Sequence, residues 1–433
     1  MRQEDSTQEA RTRDETSHEA QSLATPQPVP WRETLLVVGA TTWVQALTSA
    51  AMLMVPVLAP RIAADFGLPT GLVGMQVSLL YGVAMVTSLQ AGTLAKRLGA
   101  CRTSQLAMLL VMLGCALAMG GSPATLLVTT LLLGVAYGMT NPAAAQLLAR
   151  YTPAHQRNLL YSIKQSGVPL GGVLAGSLGP SVAQLWSWQA AFGALAVAAL
   201  VSGGLLQWRR RQWDSDRAPS APLQGLGSLN VLYRRPPILW LGMTGFCLAA
   251  AQLSLLSFTV AFMVEELLIT LVTAGVIMSV VHASGVFGRV GWGMLADRIG
   301  RSIPVLCGLA VVMLLLFLMV SRLGTTTPLW LVVLVLSAAG ATAIGWNGVY
   351  LSEVARRSPH AEVGEATAAV LVLTYMGVLT GPALFSLMVA FGGSYSLGFM
   401  LPAVASLLAL GCLRQATRSP ANRGAHSADN RSP

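Results

Sequence analysis

The chain has 433 residues, of which 54% are hydrophobic and only 10% charged, with a formal net charge of +10. A soluble domain carries roughly a quarter of its residues as charges, so this composition excludes a water-soluble globular enzyme and points to a surface that mostly faces lipid. The charges are also clustered, and the gaps between them mark the predicted elements.

Residues 1–33 are polar, rich in Glu, Arg, Thr and Gln, and lack the apolar stretch of a signal peptide, so they read as a disordered tail. Nine charge-free stretches follow, at 34–60, 66–95, 103–149, 165–208, 236–264, 267–288, 302–321, 323–352 and 366–413. About 20 apolar residues, each rising 1.5 Å, cross a hydrocarbon core of about 30 Å. Six stretches therefore fit one helix apiece, while 103–149, 165–208 and 366–413, at 47, 44 and 48 residues, each fit two. Turn chemistry near the middle of each pair supports the division: Gly120-Gly121-Ser122-Pro123, Gly179-Pro180 and Gly392-Gly393-Ser394. The stretches are continuously apolar, without the alternation of a barrel strand, and the prediction is an all-α membrane protein of twelve transmembrane helices. Residues 209–236, with Arg209-Arg210-Arg211 and several Pro and Gly, read as a linker between six-helix bundles at 34–208 and 237–414, and 415–433 as a second disordered tail.

Of the 27 basic residues, 23 fall on one side, in loops and both tails, and only Arg61 and Arg322 fall on the other. This positive-inside bias places both termini in the cytoplasm of a bacterial inner membrane. Topology and anionic headgroups account for the net charge better than nucleic acid does, because no basic patch interleaved with aromatics is visible. The five cysteines form no close pair in sequence and read as structural thiols. No metal cluster, cofactor motif or nucleophile–base pair stands out, so neither a cofactor nor an enzymatic activity is expected. A monomer in the lipid bilayer is the expected state.

An internal repeat relates the bundles. Gly92-Thr-Leu-Ala-Lys96-Arg97-Leu-Gly99 matches Gly293-Met-Leu-Ala-Asp297-Arg298-Ile-Gly300 at an offset of 201 residues, and Asn141, Ala149, Arg150 and Pro153 recur as Asn347, Ala355, Arg356 and Pro359 at 206. Parallel repeats put a substrate site near the bilayer midplane, between the halves. Twelve spans, a basic central loop, and Gly293 to Arg301 between spans eight and nine resemble the major facilitator superfamily of secondary transporters over roughly residues 33–414. The resemblance implies alternating access, in which two bundles rock about a central cavity. It also implies a charge network at the helix ends that favours the outward-facing state, with Gly293, Asp297, Arg298 and Arg301 in the second bundle. In the first copy Gly92 and Arg97 are kept, but Lys96 stands where the family has an acid, which leaves that latch without its carboxylate.

Two cations lie inside spans, Lys164 and Arg289, and a charge at such depth is a candidate functional group by default. On facing helices they would form a site for an anion, and the planar fork of arginine suits a carboxylate. Carboxylate and nitrate carriers of the superfamily are similar in having an arginine on span eight. Two structural roles compete: Lys164 could snorkel to the headgroups, and Arg289 could bond backbone carbonyls or the acids Glu362 and Glu365. Asn141, Asn347, Tyr375 and Gln45 are the expected hydrogen-bonding partners of a solute, and His282, two turns from Arg289, is a candidate proton carrier. The expected function is import of a small organic or inorganic anion, coupled to a proton or a counter-anion. The alternatives are a proton-coupled drug or metabolite efflux pump, which the absence of an acid within the first-bundle spans disfavours, and a non-transporting membrane sensor, for which the tails and linker read as too short and polar to supply a signalling domain.

Overall fold

The computed structural model describes residues 30–67, 70–220 and 227–418, so most of both predicted tails lies outside the described residues. The long helices in chain order are α1 (Trp31–Val57), α2 (Thr70–Leu98), α3 (Ala100–Ala118), α4 (Pro123–Tyr151), α5 (Arg157–Gln165), α6 (Gly167–Leu185), α7 (Trp188–Leu206), α8 (Pro236–Glu265), α9 (Leu271–Ile299), α10 (Ser302–Val320), α11 (Leu329–Ala343), α12 (Asn347–Arg356), α13 (Val363–Gly392) and α14 (Met400–Arg418). Helices α5 and α6 together form the fifth predicted span, and α11 and α12 the tenth. No strand occurs among the described residues. Among the described residues, ten helical segments are long and apolar enough to cross a membrane. The two spans not among them are the fifth and the eighth, which hold Lys164 and Arg289.

Local chemistry sets the turns. The Ser122 side chain accepts from the Thr125 N–H while the Thr125 side chain accepts from the Ser122 N–H, with Pro123 in the first turn of α4. Gly393, at φ +69, closes α13, and Ser394 caps the turn that follows. The turn expected at Gly179-Pro180 is not formed. Helix α6 runs through Pro180 to Leu185, and the chain reverses at Ser187, whose hydroxyl accepts from the Ala190 N–H at 3.2 Å. A proline removes one N–H, which a membrane helix tolerates, whereas a serine that can cap offers the next helix a start. Helix α14 likewise continues to Arg418, four residues into the segment expected as tail.

Within the first bundle α1 packs along α6, and α4 packs against α2 and α3; within the second, α8 packs along α13 and α14, and α9 along α11. The bundles join at the end that carries the basic loops, where α2 meets α13 and α5 meets α9 and α12. Glycines allow this approach. A Cβ on Gly92 would lie 2.6 Å from the Gly364 carbonyl oxygen and from Glu365 Cα, and one on Gly293 would lie 2.7 Å from Ser162 Oγ. The linker is fastened to the first bundle by Asp214, whose carboxylate accepts from the N–H groups of Cys101 at 2.7 Å and Arg102 at 3.2 Å and so caps α3.

Because backbone cannot move aside as a side-chain rotamer can, Gly92→Ala is expected to cost about 1–3 kcal/mol through overpacking. The thermal midpoint of the purified protein should fall accordingly. Gly82→Ala, on the same helix and with nothing within 4 Å of the added carbon, should leave it unchanged; equal midpoints for the two variants would refute the tight α2–α13 seam.

Candidate functional site

The fifth span breaks for a reason written in its sequence. Pro169 has no N–H to offer the carbonyl of Gln165 four residues earlier, and α5 ends at Gln165. That carbonyl instead accepts a hydrogen bond from Nη1 of Arg289, across the seam on α9. Nε of Arg289 donates at 3.0 Å to the carbonyl of Ile344, in the turn at residues 344–346 that interrupts the tenth span. The guanidinium, only 3% exposed, is thus held by a helix break in each bundle. Two of its five N–H donors are spent this way among the described residues. Of the two structural roles expected for Arg289, carbonyl bonding is observed and acid pairing is not, since Glu362 pairs with Arg235 at 3.0 Å and Glu365 with Lys96 at 3.6 Å.

Lys164 does not snorkel to the headgroups. It is buried, and Nζ donates to Gln45 Oε1 at 2.9 Å, to Gln165 Oε1 at 2.9 Å, and to Asn141 Oδ1. Gln165 therefore serves both cations, with its side chain on Lys164 and its carbonyl on Arg289. Thr140 fixes Gln45 by donating to Oε1 at 3.2 Å. The second bundle repeats this frame without the lysine. Asn347 stands at the repeat position of Asn141, and Gln252, one residue beyond that of Gln45, accepts from Asn347 Nδ2 at 3.2 Å and from Trp346 Nε1 at 3.1 Å. By the repeat offsets, Val370 occupies the place of Lys164 and Ser88 that of Arg289.

Three tyrosines cluster near this centre, two of them close to Arg289. The rings of Tyr81, Tyr137 and Tyr375 lie 5.8–6.3 Å apart, with Tyr375 contributed by the opposite bundle, and Tyr81 and Tyr137 are within electrostatic reach of Arg289. The Tyr375 hydroxyl is buried beside Asn141 and Ser88 yet makes no hydrogen bond of good geometry. His282 is not part of this group. It is exposed on α9, and its Nδ1 contacts the Met278 carbonyl at 2.9 Å.

Toward the basic-loop end the two seams are built differently. Asp297 accepts from the Asn158 N–H at 3.0 Å, from Asn158 Nδ2 at 2.8 Å and from the Leu159 N–H at 2.7 Å, capping α5 from the other bundle, where the helix dipole favours an anion. Ser302 Oγ donates to Asn158 Oδ1 at 2.7 Å, and Arg356 Nη2 donates to Ser302 at 2.6 Å. In the other seam Lys96 pairs with Glu365 in the first turn of α13, so the latch expected to lack its carboxylate has an ion pair of reversed sense. Arg298 and Arg301 are exposed, and neither they nor Arg97 form an ion pair among the described residues. Sequence reasoning did not place Asn158, Ser302 or Gln165 in the machinery; for Gln165 the signal was the proline four residues downstream.

Two helical bundles joined about a polar, cationic centre, with broken helices at that centre, define a multi-pass membrane transporter. The family model described as Major Facilitator Superfamily matches residues 41–357, and the chain belongs to that family. It is accordingly a transporter and not an enzyme. The fold is similar to the Escherichia coli fucose:proton symporter, with a TM-score of 0.72 at 16% identity over 89% of this chain and 99% of that one. It is similar also to the human organic anion transporter MFSD10, with a TM-score of 0.71 at 17% identity over 90% and 100%. At these identities the likeness is one of fold. Among curated proteins, the "Probable anion transporter 5" of Arabidopsis thaliana is 36% identical over 104 residues, covering 24% of each chain. The "Gallate transporter" of Pseudomonas putida is 33% identical over 153 residues, 34% of this chain and 32% of that protein. The chain thus spans about a quarter to a third of the length of these relatives.

Removing the Asp297 carboxylate leaves two first-turn N–H groups of α5 without a partner. Asp297→Ala should therefore raise hydrogen–deuterium exchange across residues 157–163 several-fold, and Asp297→Asn, which keeps an acceptor, should raise it less. Unchanged exchange in Asp297→Ala would show that α5 is held by something else.

Proposed function

We propose that this transporter moves a small carboxylate bearing an aromatic ring, and that the anion is held by Arg289. The observation that carries this reading is a buried guanidinium with unspent donors, set between the bundles beside three tyrosines and with no carboxylate neutralising it. A bidentate guanidinium–carboxylate pair satisfies both fork geometry and charge. Ring edges and faces of Tyr81, Tyr137 and Tyr375 suit an aromatic solute, and the unbonded Tyr375 hydroxyl suits a ring hydroxyl. The names of two relatives, an anion transporter and a gallate transporter, agree with this class. Asn141 and Gln45 are occupied by Lys164, so in this reading they shape the site rather than contact the solute, and Asn347 borders it from the second bundle. We place both termini in the cytoplasm of a bacterial inner membrane, on the bias of the basic loops, and read the direction as uptake.

Gallate, a trihydroxybenzoate, is a suitable probe. It should raise the thermal midpoint of the wild-type protein by mass action. It should do so at least about tenfold less effectively in Arg289→Gln, because a hydrogen-bonded charged group is worth about 1.5–3 kcal/mol. Equal stabilisation of the two proteins would sink the anion site. Benzoate, lacking hydroxyls, should bind more weakly than gallate to the wild type, and Tyr375→Phe should narrow that gap. If Tyr375→Phe leaves the preference as it was, the hydroxyl has no part in selection.

A further inference from the structure

The chain contains two lysines, Lys96 and Lys164, and every other one of its 27 basic residues is arginine. The two side chains differ in one chemical respect that matters here, because arginine keeps its proton in proteins and lysine can release it. The permanent cation occupies the seam between the bundles, while the releasable one sits 2% exposed among neutral groups.

The cage around Lys164 is matched to an exchangeable proton. An ammonium has three N–H donors, and three carboxamide oxygens receive them, those of Gln45 on α1, Asn141 on α4 and Gln165 on α5. An amine has two donors and a lone pair. Each carboxamide also carries an NH2 group, so turning one amide over presents a donor to that lone pair. Three carboxylates could not serve both states, and three backbone carbonyls could not turn.

The surrounding charges couple this proton to the anion. Of the elements packed about the lysine, α9 contributes Arg289, while α4, α2 and α13 contribute the phenols Tyr137, Tyr81 and Tyr375. On α5 itself Tyr161 is bonded to the Ala145 carbonyl at 3.0 Å. On α12 Tyr350 lies beside Thr374, and Glu353 is committed to Arg356 and Arg357 at the basic-loop end. Helix α6 carries no titratable side chain, and α1 carries none beside Gln45. Thus Lys164 and Arg289 are two buried cations with no carboxylate between them, an arrangement that costs free energy until an anion arrives. A carboxylate on Arg289 removes that cost, so anion and proton each favour the binding of the other, by the same factor.

Building on the proposed anion site, we infer that Lys164 with Gln45, Asn141 and Gln165 forms the proton-binding site of the carrier, loaded together with the anion. The amine lone pair takes a proton from water when the site is open to one side and returns it to water on the other, one proton for each carboxylate. This role falls to Lys164 rather than to His282, which is exposed and outside the cluster.

Having only two lysines makes the proton directly observable. Protein labelled with 15N at lysine Nζ gives two side-chain signals, and Lys96→Arg assigns the remaining one. The Lys164 signal should pass from ammonium to amine within the pH range in which the protein stays folded. A signal that remains ammonium throughout overturns the proposal, and this measurement needs no substrate. In proteoliposomes, wild-type protein should accumulate radiolabelled gallate under an inside-alkaline gradient. Lys164→Gln should lose that accumulation while still exchanging gallate across the membrane. Lys164→Arg, charged but unable to release its proton, should lose accumulation too. Accumulation retained in either variant overturns the proton site, as does loss of exchange in a Lys164→Gln protein whose thermal midpoint is normal, which would make the lysine an anion ligand. The anion site fails separately: Arg289→Gln exchanging gallate at the wild-type rate overturns that reading and leaves the lysine result standing.

Discussion

A guanidinium and an ammonium held inside a membrane protein without a carboxylate between them must be solvated by oxygen atoms of the protein itself. Much of the architecture of this carrier follows from that requirement. Regular helices keep their carbonyls for their own N–H groups, so oxygen becomes available only where a helix breaks or where an amide side chain points inward. The fifth span breaks at Ser166, three residues before Pro169, and the tenth at residues 344–346, and the two carbonyls so released both bond Arg289. Lys164 takes the other route and is solvated by three side-chain amides.

The internal repeat clarifies how such a centre arises from two similar halves. Each bundle carries a Gln–Asn pair on its first and fourth spans, Gln45 with Asn141 and Gln252 with Asn347. In the second bundle the pair closes on itself. In the first a lysine is inserted between the partners and draws both toward Nζ. The arginine appears on the opposite half, at the position where the first bundle has Ser88. One frame, duplicated, has acquired one cation in each copy at different places, and the two meet through Gln165.

The fold was almost entirely legible in the sequence, because lipid forces an all-or-none distribution of charge and the gaps between charges have the lengths of helices. Charge gaps say nothing of where within a gap the chain turns, and so the reversal before α7 was expected at Gly179-Pro180 and occurs at Ser187. At the site, depth alone brought Lys164 and Arg289 forward, since a buried charge is costly wherever it lies. Their partners were harder to read. A carbonyl has no letter in a sequence, and the bond from Arg289 to Gln165 is visible only as a proline four residues later. Asn158 and Ser302 were missed for a related reason: they sit at helix ends, where polar residues are commonplace. Lys96 was read as the loss of a contact because a family pattern names residue types, whereas the seam requires only that opposite charges meet, and Glu365 supplies the other one.

The two seams near the basic loops differ in their polar fastenings. One is a single ion pair between Lys96 and Glu365, 29% and 15% exposed, and pairs of this kind contribute about 0–1 kcal/mol and weaken with salt. The other is a carboxylate receiving three N–H groups and backed by Asn158, Ser302 and Arg356. Unequal fastenings on one rim mean that salt acts on them unequally: raised ionic strength screens the partly exposed Lys96–Glu365 pair more than the hydrogen-bonded Asp297 cap.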